Sequence, residues 1–129
     1  MHPSHALARR KRLSLLQATS VPYIALSRDR PVGLATSSAL EAMDHVYSPI
    51  VEVTQTAAAC ALVEQRTGLA VLESLGAIYA ERHGLVVRRM MRVPALVLNL
   101  VWPTGAGLNP LARSVASELA SRLERAVGG

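Results

Sequence analysis

The stretch Ile50-Val51-Glu52-Val53-Thr54-Gln55-Thr56-Ala57-Ala58-Ala59-Cys60-Ala61-Leu62-Val63-Glu64-Gln65-Arg66-Thr67-Gly68-Leu69-Ala70-Val71-Leu72 decides the fold. Ile50 to Thr54, rich in β-branched residues, reads as a short strand. Thr54 or Thr56 then caps a helix from about Ala57 to Arg66, closed by Gly68. Leu69 to Leu72 is continuously apolar, as expected of a strand covered on both faces. Strand, helix and strand in so few residues predict a parallel pair joined by a right-handed crossover.

The pattern extends in both directions. Upstream, Leu13 to Ala18 reads as a short helical turn, and Pro22 introduces a strand, Tyr23-Ile24-Ala25-Leu26. Arg28 to Gly33 reads as a turn. Ser38 and Glu41 have capping-box spacing, predicting a helix that buries Leu40, Met43 and Tyr47 and ends at Ser48-Pro49. Downstream come a helix from Leu75 to Arg82, stopped by His83-Gly84, and an extended Leu85-Val86-Val87-Arg88. Met90 to Pro94 reads as a crossing segment, and Leu96 to Trp102 as a further strand ended by Pro103 and the Gly105–Gly107 loop. The last helix has Asn109 as N-cap, Pro110 at N1, and an apolar stripe of Leu111, Val115, Leu119 and Leu123 widened by Ala112, Ala116 and Ala120. The fold class is therefore α/β, a mainly parallel sheet with flanking helices.

Composition supports a folded core. Half of the 129 residues are apolar and mean hydropathy is +0.27, which argues against disorder. Cys60 is the single cysteine and sits among alanines, a setting for a small buried hydrophobe rather than a reactive thiol. No stretch approaches the roughly 18 apolar residues of a membrane span, and the basic start leads into no leader-like apolar run. A cytoplasmic protein is expected. The formal charge of +5 concentrates in Arg9-Arg10-Lys11-Arg12, and residues 1–14 read as a basic flexible tail. The tail lacks the aromatic interleaving of a base-stacking surface and the cysteine–histidine spacing of a zinc finger, so no specific DNA binding is expected.

No catalytic set emerges. His2 and His5 lie in the basic tail, while His45 and His83 stand alone. Asp44 and His45 are sequence neighbours and point to different helix azimuths. There is no Gly-x-Ser-x-Gly elbow, no phosphate loop with its lysine, no dinucleotide glycine pattern and no metal-ligand spacing. The chain is expected not to be an enzyme and to carry no cofactor. A small-molecule site fits better, because open parallel sheets bind ligands beyond the carboxyl ends of their strands. Thr54, Gln55 and Thr56 occupy such a loop and offer hydroxyls, an amide and free backbone donors suited to a carboxylate. Tyr23 and Ser27, at or just past the first strand, are weaker candidates; Arg28 and Arg30 could neutralise an acidic ligand, while Arg88 and Arg89 flank the crossing segment and could line a cleft.

Several runs taken in order, Val51-Glu52-Val53, Ala61-Leu62-Val63, Gly68 to Leu72 and Gly84 to Arg89, resemble the effector-binding domain of LysR-type transcriptional regulators. The resemblance covers about Leu15 to Arg125. It implies a two-lobed, periplasmic-binding-protein-like domain with an inducer in the cleft. Residues of about 20–89 resemble the second lobe, and residues of about 95–127 resemble the strand and helix returning to the first. The resemblance places Thr54, Gln55 and Thr56 at the lobe edge facing the cleft. Val86-Val87-Arg88-Arg89 resembles members that sense amino acids or opines, so the implied effector is an amino acid or other carboxylate.

Departures from the family pattern are informative. Arg66 stands where a glycine tolerant of positive φ is common, which predicts a strained helix exit, and Glu73-Ser74 replaces a common proline. The family's helix-turn-helix, linker helix and most of the first lobe have no counterpart in these residues. The expectation is a truncated or incomplete regulator whose last strand and helix expose apolar surface and favour self-association. The alternative is a stand-alone cytoplasmic module that binds a small molecule or a protein partner.

Overall fold

The computed structural model describes residues 1–91, 95–101, 107 and 109–127. The chain divides into two compact units, Met1–Leu96 and Val97–Gly129, each described by itself.

The first unit is built around strand β2 (Tyr23–Leu26), all four residues of which are buried. Strands β3 (Val51–Val53) and β4 (Leu69–Ala70) flank it in the order β3-β2-β4, both parallel to it. Ile24 pairs with Val51 on one side and with Ala70 on the other. Alternation along a strand sends side chains to opposite faces. Tyr23 and Ala25 therefore join Leu15, Ala18, Leu40, Leu69 and Val71 in one core, while Ile24 joins Ala59, Cys60, Val63, Ala80 and Leu85 in the other. Helices α1 (Leu15–Thr19) and α2 (Pro31–Glu41) serve the first core; α3 (Thr56–Glu64) and α4 (Ser74–Arg82) serve the second. This is the α/β arrangement that the alternation predicts, with parallel strands and helices on both faces.

Three helices end in one way. Backbone N–H groups of His45, Thr67 and Leu85 reach back to the carbonyls of Leu40, Leu62 and Ala80 at 2.9, 3.2 and 3.0 Å. Such a closure needs a left-handed residue just before the donor. Those residues are Asp44 (φ 52°), Arg66 (φ 61°) and Gly84 (φ 74°). Arg66 thus holds the strained geometry expected from its place in the sequence.

Helix α2 departs from expectation. It begins at Pro31, so Ser38 and Glu41 lie in its last turns and form no capping box. The hydroxyls that resemble loop or cap residues are satisfied inside the helix: Thr36 donates to the Val32 carbonyl at 2.8 Å and Ser37 to that of Leu34 at 3.1 Å. Gly33 is a packing residue rather than a turn residue, since a Cβ there would overlap the carbonyl oxygens of Leu26 and Ser27. Leu40 is fully buried as expected, whereas Met43 is exposed. A capping box is formed instead at α1, where the Gln17 N–H donates to Ser14 Oγ at 3.2 Å and the Ser14 N–H to Gln17 Oε1 at 3.0 Å.

The first fourteen residues are folded rather than a flexible tail. A 3-10 turn at Ala6–Arg9 buries Ala8, and Leu13 is 2% exposed. Strand β1 (Leu13–Ser14) pairs in parallel with β5 (Met90–Met91), so the pairing residues lie beyond the expected extended run Leu85–Arg88. Arg88 fastens the segment, its Nε donating to the Arg10 carbonyl at 2.6 Å and its Nη2 to that of Ala8 at 2.7 Å.

In the second unit, helix α5 (Pro110–Val127) matches expectation. Asn109 Oδ1 accepts the Ala112 N–H at 2.7 Å, closing the first turn. Glu118 pairs with Arg122 at 2.7 Å on the polar side. Leu111, Val115 and Leu119 are 74%, 58% and 42% exposed. The strand expected over Leu96 to Trp102 is not formed across residues 96–101, which carry no strand pairing; Trp102, Pro103 and Gly105 lie outside the described residues.

Candidate functional site

Parallel pairing brings the ends of β2, β3 and β4 to one edge of the sheet. The Ser27 N–H donates to the Val53 carbonyl at 2.8 Å, tying the start of the loop after β2 to the end of β3. Ser27 is half-buried there, Thr54 and Gln55 are exposed, and Thr56 is half-buried. Neither threonine caps α3: Gln55 is the N-cap, with no side-chain cap bond. The Thr56 hydroxyl, at the first helical position, donates instead to Glu73 Oε1 at 3.4 Å. Gly76 allows this junction, because a Cβ there would come within 2.9 Å of Thr56 Cγ2 and 3.0 Å of Glu73 Oε1.

The same edge carries a shared electrostatic feature. Helices α2, α3 and α4 follow the three strands, and none has a side-chain cap; their N-cap positions are Arg30, Gln55 and Glu73. By contrast, α1 and α5 are closed by Ser14 and Asn109. The first intrahelical amides of the three helices are those of Leu34, Ala59 and Ala77. The amides before them have no intrahelical partner and face the edge with the positive poles of the helices. The arrangement can hold an anion. The sequence marks Glu73 only as part of the Glu73-Ser74 pair that replaces a common proline, not as a site residue. Its signal is a carboxylate placed directly before a helix and just past the apolar run Leu69 to Leu72.

A comparison with protein families matches the LysR substrate binding domain over residues 1–124. The chain belongs to this family. No curated relative matches it. The family match begins at residue 1, and so includes the folded basic segment, whereas the sequence resemblance began near Leu15. The fold of LysR substrate-binding domains is periplasmic-binding-protein-like, and the parallel sheets flanked by helices agree with it.

The remaining candidates in this LysR substrate-binding domain fall in distinct places. Arg28 lies next to Ser27, its guanidinium carbon 5.2 Å from the centre of the Tyr47 ring and its Nε 3.8 Å from Glu52 Oε1. Tyr23 is buried in β2 and its hydroxyl accepts the Ser48 N–H at 2.9 Å. Burial raises the Tyr23 phenol above its usual range and, helped by Glu52, pushes that of Tyr47 up to about 12. Arg30 is exposed, and Arg88 is committed to the carbonyls of Ala8 and Arg10. Cys60 is 1% exposed and burial pushes its thiol up, which suits packing rather than nucleophilic attack. His83 stacks on Tyr79 at 4.1 Å. Among the described residues no three metal-ligating side chains cluster, and no helix is long and apolar enough to cross a membrane.

Proposed function

We propose that this LysR substrate-binding domain senses a small carboxylate, an amino acid among the candidates, at the carboxyl edge of β3-β2-β4. Thr54, Gln55, Thr56 and Ser27 are its polar contacts. The carrying observation is the set of three helices that start uncapped at this one edge. Calorimetry against a panel of amino acids and simple carboxylates should give saturable heat. Thr54→Ala and Thr56→Ala should each weaken binding by about tenfold, the value of one lost hydrogen bond. Unchanged heat in both would remove the loop from the site.

The domain works, in this reading, as the effector-sensing portion of a cytoplasmic transcriptional regulator and performs no catalysis. The exposed Leu111, Val115 and Leu119 support the finer reading of an incomplete regulator, since such a stripe is suited to cover by further protein. The two filled cores of Met1–Leu96 favour the rival, a module sufficient by itself. The DNA immediately upstream separates the two. A frame encoding a helix-turn-helix supports the first, and an unrelated gene supports the second.

A further inference from the structure

Two segments without a single acidic residue, 1–28 and 82–117, meet where β1 pairs with β5. The Leu13 N–H donates to the Arg89 carbonyl at 3.2 Å, so the end of the basic run lies beside Arg89. Arg9, Arg10, Lys11, Arg12 and Arg89 are all exposed. Among the described residues, ion pairs involve only Arg28, Arg122 and Arg125 as cations, so none of these five is neutralised by a carboxylate. Arg88 contributes differently, fixing the backbone of Ala8 and Arg10 and thereby holding the run in place.

Five like charges held together by a fixed backbone repel one another, and a polyanion relieves that repulsion. We infer that this edge is a docking surface for the phosphate backbone of duplex nucleic acid, engaged without regard to base sequence. Four of the five cations are arginines, whose planar fork matches phosphate oxygens in pairs. The basic run contains no aromatic side chain to stack on bases, which disfavours single strands. Residues 9–12 also carry no apolar side chain to enter a lipid interface, and the flanking Leu7 and Leu13 are half-buried and buried; Met91 on β5 is exposed, but one such side chain does not make the apolar face that lipid insertion needs. The surface is independent of the carboxylate site, and either assignment can fail alone.

The test uses the full chain and a labelled duplex of about 20 base pairs of mixed sequence, read by fluorescence anisotropy across a salt series. Five phosphate contacts give a slope of log affinity against log salt of about −4.5, or a loss of about 500-fold between 50 and 200 mM. Arg10→Gln and Arg89→Gln should each reduce the slope by about 0.9. Arg89→Gln lies outside the N-terminal run and so keeps the test valid if that run is sensitive to substitution. A slope near zero, a slope unchanged in both variants, strong selectivity for one base sequence, or tighter binding to phosphatidylserine vesicles at equal charge would each overturn the assignment.

Discussion

Replacing Arg66 by glycine should stabilise the domain. Arg66 has φ 61° and an exposed side chain with no hydrogen bond or ion pair among the described residues. Its conformation is fixed by the helix closure of α3, in which the Thr67 N–H donates to the Leu62 carbonyl at 3.2 Å and the Arg66 N–H to that of Val63 at 3.0 Å. A side chain in left-handed geometry costs about 1–2 kcal/mol, because Cβ crowds the following carbonyl. Glycine removes that strain but frees the unfolded chain, which returns about 0.4–1 kcal/mol. The net gain is about 0.5–1 kcal/mol, or roughly 2–8 °C in Tm for a unit of this size. Differential scanning calorimetry and urea titration should both report it. Arg66→Ala is the decisive control, since it deletes the side chain yet keeps Cβ, and it should leave Tm nearly unchanged. Equal stabilisation by alanine and glycine would show that the side chain, not the backbone, is responsible, and would refute the reasoning.

Three other outcomes are expected. Gly33→Ala should destabilise by about 3 kcal/mol in urea titration, because the new Cβ meets the backbone carbonyls of Leu26 and Ser27 and must push α2 off β2. Stability should fall as pH climbs from 10 toward 12: the Tyr47 phenol, raised from 10.0 to about 12, favours the folded state only while neutral, and the unfolded phenol ionises first. Tyr47→Phe should flatten that loss and also remove a buried hydroxyl without a partner, which equilibrium unfolding at pH 9, 10 and 11 would reveal. The chain should self-associate as its concentration rises, through Leu111, Val115 and Leu119, and Leu119→Glu should reduce this; light scattering showing a monomer throughout would remove the stripe's role.

The elements legible in the sequence are those whose local and tertiary demands agree. Tyr23–Leu26 is apolar throughout because it is the central strand, and the structure gives it those bounds. Asn109-Pro110 states a helix start by itself, and the bond from Ala112 to Asn109 follows. Arg30-Pro31 carries a similar proline signal, yet Arg28 to Gly33 reads as a turn and Ser38 as the start of a later helix. Only the contact with the β2 carbonyls explains that glycine, and only bonds to Val32 and Leu34 explain the hydroxyls of Thr36 and Ser37. The basic segment was obscured in another way. Its charges face water as a tail's would, and its anchors are two small buried positions, Ala8 and Leu13, with backbone acceptors for the distant Arg88. At the candidate site, the sequence points to the threonine loop and marks Glu73 only as a departure from the family pattern, since the contact of Glu73 with Thr56 joins residues seventeen positions apart.

The parallel order β3-β2-β4 explains why one edge concentrates unused backbone donors. Each crossover from β2, β3 and β4 must leave at the same end of the sheet, so three helices begin there together. A serine, threonine, aspartate or asparagine at each N-cap would satisfy those amides locally and stabilise each helix by about 1 kcal/mol. Arg30, Gln55 and Glu73 occupy the positions instead, and their side chains make no such bond. The capability is present in other helices of the chain, where Ser14 and Asn109 cap α1 and α5. Forgone capping at the three helices that share an edge is what a domain requires if a bound anion is to provide the cap. Gln55→Asp should therefore stabilise α3 while weakening carboxylate binding, two effects of opposite direction that a purely structural N-cap would not couple.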